Sequence, residues 1–146
     1  MRVFGTVLII MLALITWGSA ALGADMSNQA KRELQTAIVH AKNAAGASTT
    51  ANIELHLHHV VNCIEGKTGK NFFAASGDVC EGMGNGLLAD LKDAGMAGAH
   101  AIPYAEIANQ VALWGLAQGM AKNVAAAKAA AEITAAALAR TQANFK

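Results

Sequence analysis

Pro103 is the only proline in this 146-residue chain, and the last third of the sequence is dominated by alanine, above all from Ala121 to Arg140. Proline is the strongest helix breaker and alanine the strongest helix former, so a chain with so little of one and so much of the other is driven toward α-helix. The composition, 54% hydrophobic and 14% charged, is that of one small helical domain. A net charge of +1, with Lys and Arg scattered, leaves no basic stripe for nucleic acid.

The N-terminal residues carry a different signal. Arg2 gives a short positive region, Val7 to Trp17 is continuously apolar apart from Thr16, and Gly18 to Ala24 offers small residues suited to cleavage. Residues 1–23 therefore read as a signal peptide and 24–146 as a single helical domain, periplasmic or secreted. An uncleaved anchor is the alternative, because Val3 to Ala24 is almost long enough to cross a bilayer. Export favours a disulfide between Cys63 and Cys80, for which a loop of this length is worth about 3 kcal/mol. The competing reading makes Cys63 a thiolate ligand.

Helix punctuation divides the rest. Asp25 and Ser27 are candidate N-caps for a helix ending at Gly46, with Leu34, Ile38, Ala41 and Ala45 at helical spacing and His40 at the edge of that stripe. Ser48, Thr49 and Thr50 cap a second helix that ends at Gly66. The short link makes the two an antiparallel hairpin. Glycines from Gly66 to Gly86 break any period, so this stretch is the disulfide-closed loop. A short third helix follows Asn85-Gly86, and a fourth starts at Pro103. Ile107, Val111 and Trp114 set its inner face, and no strong breaker stops it before the C-terminus, giving about forty residues and roughly 60 Å. The expected fold is all-α: an antiparallel four-helix bundle with one disulfide-closed loop and a long C-terminal helix.

The chemistry is concentrated in the second helix. Within Asn52 to Cys63, at roughly 100° per residue, Ile53, Leu57, Val60, Val61 and Ile64 make an apolar face, and Asn52, His56, His59 and Cys63 line its edge. His58 points elsewhere. Residues three apart are neighbours on a helix, so His56 and His59 can turn toward one point, and the hairpin brings His40 near them. Imidazole is a ligand for copper, nickel, zinc and haem iron. Met26, Met83, Met96 and Met120 are possible soft ligands, and the absence of C-x-x-C-H leaves only non-covalent haem. Enzymatic parts are missing: no nucleophile elbow and no carboxylate pair at Glu-x-x-His spacing are present, so the chain does not read as an enzyme.

Val39 to Ala45, followed by the His56 to His59 cluster behind a signal peptide, resembles the small exported histidine-bearing helical proteins of bacteria that bind divalent metals such as copper. The resemblance implies a four-helix bundle and a metal-binding, buffering or trafficking role, with His40, His56 and His59 as matching positions. The departures are the lack of an H-x-x-x-H series, the disulfide and the glycine-rich loop. The expectation is thus an exported transition-metal or haem-binding protein for storage, sensing or delivery. The alternative is a non-catalytic structural or interaction module of the cell envelope, pairing with itself or another envelope protein through the alanine-rich helix. Imidazole nitrogens converging on one point would favour the first; splayed histidines beside an exposed apolar strip would favour the second.

Overall fold

The computed structural model describes residue 25 and residues 27–146, so the signal-peptide reading of residues 1–23, and Met26, lie outside the described residues. The described residues form helices and connecting loops: α1 (27–46), α2 (Thr50–Glu65), a 3-10 turn (Ala74–Ser76), α3 (Leu87–Asp93), α4 (Met96–Ala99), α5 (Ile102–Met120) and α6 (Val124–Asn144). None of these helices is long and apolar enough to cross a membrane.

The first hairpin forms, with α1 ending at Gly46 and α2 starting after Thr49; Asp25 and Ser27, the candidate caps of α1, are themselves helical. On α1, Ala30, Leu34, Ala37, Ala41 and Ala44 are buried at three- and four-residue spacing. Thr49 caps α2 by accepting from the Asn52 N–H through its hydroxyl. Gly66 ends it at φ 69°, with its N–H on Asn62 O. A Cβ at Gly66 would overlap the Asn85 carbonyl, so this helix end and the loop before α3 touch backbone to backbone. The apolar face of α2, Ile53, Leu57, Val60, Val61 and Ile64, is fully buried.

Two expectations are corrected. The forty-residue helix is two helices: the chain reverses at Ala121–Asn123, where Lys122 takes φ 60° and the Asn123 side chain accepts from the Ala126 N–H to start α6. Four helices thus become six α-helical segments among the described residues, and the final helix is α6 alone. The inner face of α5 is also different. Ile107 and Trp114 are about half exposed, whereas Ala105, Ala108, Ala112, Gly115 and Gly119 are buried. The reason is close approach: a Cβ on Gly115 would lie 2.8 Å from Ala130 Cβ and 2.9 Å from Leu57 Cδ1. Small residues let α5, α6 and α2 pack with little space between their backbones, and many short contacts replace a few large side chains. Ala127, Ala130, Ala131 and Leu138 supply the other side of that contact.

The glycine-rich segment is held by covalent and polar ties. Cys63 and Cys80 form the disulfide, with Cα atoms 5.3 Å apart, and no described cysteine is left free to act as a thiolate ligand. Such a bond belongs in an oxidising environment.

Candidate metal centre

The α1–α2 hairpin brings His40, His56 and His59 together. His40 Nδ1 lies 3.1 Å from His56 Nδ1 and 3.2 Å from His59 Nδ1, and one ligand atom from each of the three falls within 4.8 Å of the others. The rings meet at tilted or edge-on angles rather than stacking, as rings do when their nitrogens, and not their faces, converge. Two nitrogens each about 2.05 Å from a zinc-sized ion, at a tetrahedral angle, stand about 3.3 Å apart. The two spacings around His40 match that value, so the group could hold an ion.

Protonation supports the same reading. His59 Nε2 sits 2.7 Å from the Ser76 carbonyl, which only accepts, so Nε2 carries the proton and donates it. In neutral His59 the inward Nδ1 is then a bare lone pair. Burial pushes His40 down to about 4, with His59 and His56 adding to the shift, and burial followed by His59 lowers His56. Both are neutral at physiological pH, the form that ligates metals. A single shared proton cannot satisfy three converging nitrogens, whereas one cation can.

The Ser76 carbonyl is itself held in place. Asn62, buried on α2 one turn beyond His59, donates through Nδ2 to Phe73 O (3.1 Å) and Gly77 O (2.9 Å) and accepts the Phe73 N–H at 2.8 Å. A second tie runs from the adjacent Cys63 to Cys80. Metal-binding histidines commonly give their outer N–H to such a fixed acceptor, which sets tautomer and ring orientation. The sequence reading had no role for Asn62 or Ser76. The signal for Asn62 was present, an amide among Val60, Val61, Cys63 and Ile64 in an apolar helix; a backbone carbonyl leaves no such mark.

The other histidines stand apart from the trio. His58 stacks on Phe73 with ring centroids 4.3 Å apart, and Phe73 is 45% exposed. His100 is exposed at the end of α4. Of the described methionines named as possible soft ligands, Met83 places its sulfur 3.5 Å from Thr36 Oγ1, and Met96 and Met120 are largely exposed.

No family model matches the chain, and neither the curated proteins nor the solved structures contain a match. What the site does must therefore be argued from its own geometry.

Proposed function

We propose that this protein binds a transition-metal ion through His40, His56 and His59, outside the cytoplasm, for storage, sensing or delivery. The observation that carries the reading is the convergence of three Nδ1 atoms from two helices, with the outer nitrogen of His59 locked onto the Ser76 carbonyl. Three imidazoles without a carboxylate suit copper, nickel or zinc rather than calcium or magnesium. Haem fits less well: its two axial ligands approach from opposite faces of a large ring, whereas these nitrogens crowd one point. Three protein ligands leave a coordination position open, which suits an ion that is exchanged more than one that serves as a permanent staple. Convergence, rather than splaying, also favours this reading over an envelope interaction module. The Cys63–Cys80 disulfide supports a periplasmic or secreted location.

The test is elemental analysis and calorimetric titration of the oxidised protein with copper, nickel, zinc and haem, against a His56→Ala/His59→Ala variant. The expected result is one metal ion per chain, lost in the variant. Weak binding that is identical in the two proteins would overturn the proposal.

A further inference from the structure

A second group of buried ionisable side chains lies where α1 meets the loop before α3, and it shares no residue with the histidine trio. Glu33 of α1 is 1% exposed and Asp90 of α3 is 0% exposed. Both take N–H groups from the intervening loop: Glu33 Oε1 accepts from the Gly86 backbone at 2.8 Å, and Asp90 accepts from the Asn85 backbone through both oxygens, at 3.3 and 3.2 Å, and from Asn85 Nδ2 at 3.3 Å. Gly84 is pressed against the two carboxyl groups, where a Cβ would collide with Asp90 Oδ2 and lie 2.8 Å from Glu33 Oε1. The loop is thus tied to α1 through one carboxyl and to α3 through the other.

The two carboxyl groups also hydrogen-bond each other. A carboxylate only accepts, so that bond exists only while one of the two carries a proton. The surroundings offer no base in its place. On α1, Arg32 gives Nη2 to the Met83 carbonyl at 2.8 Å and is the weakest influence on Glu33. On the loop, Lys67 is paired with the exposed Glu81 at 3.5 Å, and Asp78 adds a further acid to the small cavity that Glu33 borders. From α2 that cavity receives only the neutral Asn62, and Lys92 and Asp93 of α3 are exposed. Glu33 Oε2 is enclosed and faces no donor. Two bare charges here would be buried without water or a counter-ion, which is costly, whereas one shared proton leaves a single charge among three loop N–H donors. Burial above all, with the charge of Asp90, outweighs the Gly86 hydrogen bond and pushes the Glu33 carboxyl up to about 8.

We propose that Glu33 and Asp90 share a single proton at neutral pH, and that this proton is a latch that keeps residues 83–86 of the loop closed on α1. Two carboxyl groups side by side in a buried site hold one proton far more tightly than either does alone. Its loss leaves two adjacent anions, and their repulsion is relieved by admitting water along the loop. Because the Glu33 carboxyl is raised in the fold, the latch is shut at low pH and opens as pH rises through about 8. The opening is local. Cys80 is bonded to Cys63 of α2, so the residues between it and Leu87 are the ones released, and Ser76 keeps its place behind His59. On α1 the opening frees Arg32 and Thr36, both of which contact Met83. The latch therefore acts on the α1–loop junction and leaves the histidine centre in place.

The experiment is amide-proton exchange by NMR on the oxidised full chain from about pH 6 to about pH 9.5, corrected for intrinsic exchange rates, with infrared spectra of the carboxyl groups in parallel. The expected result is that protection at Asn85 and Gly86 falls at least about tenfold across that range, and that a protonated-carboxyl band present at about pH 7 disappears with it. Glu33→Gln, whose amide accepts from Gly86 and donates to Asp90 in place of the proton, should abolish both the fall and the band. Asp90→Asn supplies the same donor from the other side and should also abolish the fall. His56→Ala/His59→Ala should behave as the wild type, so failure of the histidine reading would leave this result untouched. Flat protection in the wild type, an equal fall in the wild type and Glu33→Gln, or no protonated-carboxyl band at neutral pH would overturn the proposal. If Glu33→Gln does not fold, Asp90→Asn and the wild-type band decide.

Discussion

Asn62→Ala isolates the idea that the histidine centre is shaped from behind. The substitution removes an acceptor for the Phe73 N–H at 2.8 Å and a donor to Phe73 O and Gly77 O at 3.1 and 2.9 Å, from a side chain 1% exposed. Each such bond is worth about 0.5–1.5 kcal/mol net, which for three gives about 3 kcal/mol. Phe73 and Gly77 are exposed residues whose backbone can recover water, so a loss of about 2–3 kcal/mol is expected. The consequence for function is larger than for the fold. With the Phe73–Gly77 segment released, the Ser76 carbonyl no longer fixes His59, and metal affinity should fall about 10- to 100-fold. Urea unfolding of the metal-free protein gives the first number and calorimetric metal titration the second. Asn62→Asp, which keeps the acceptor but turns an anion toward two carbonyls, should be at least as severe. A variant destabilised as expected yet binding metal like the wild type would refute the claim that this segment orients His59.

His40→Ala should lower metal affinity more than about 100-fold, because it removes a ligand and not merely its support, whereas His58→Ala should change it less than about threefold; equal losses in the same titration would place the centre elsewhere on α2. His40 and Glu33 push the stability of the metal-free protein in opposite directions with pH, readable as unfolding midpoint against pH. His40 is lowered from 6.5 to about 4 in the fold, so the unfolded chain binds its proton first and stability falls as pH drops from 6.5 toward 4. Glu33 is raised from 4.5 to about 8, so its contribution is full below 4.5 and is lost as pH rises toward 8. Glu33→Gln should flatten the alkaline side, and His40→Ala should lessen the acid-side slope, to which His56 and His58, lowered in the same direction, also contribute; a Glu33→Gln curve with the wild-type slope above pH 4.5 would contradict the buried carboxyl.

What could be read in advance was whatever depends on neighbours in sequence. Thr49 and Gly66 bound α2 as cap and stop, and the three-residue spacing of His56 and His59 places them on one edge. The short link to α1 was enough to bring His40 across. Helical periodicity failed where the choice depended on packing. Ile107 and Trp114 look like the inner face of α5 by hydrophobicity, yet the chain turns them outward so that Gly115 and its alanines can meet Ala130 and Leu57. The reversal at Lys122 was also hidden, because neither lysine nor alanine is a breaker and the break is set by what α6 covers on folding back.

The sequence by itself determined that this chain is helical, that His56 and His59 share one edge of α2, and that a short link brings His40 of α1 across to them. All of these follow from short-range rules of propensity, capping and spacing. Only the tertiary structure decided that a backbone carbonyl at Ser76 orients His59, that Asn62 holds it there, and that Glu33 and Asp90, 57 positions apart in sequence, bury their carboxyls side by side. Backbone groups carry no sequence label, and the partners of a buried polar atom are chosen by how distant segments close around it.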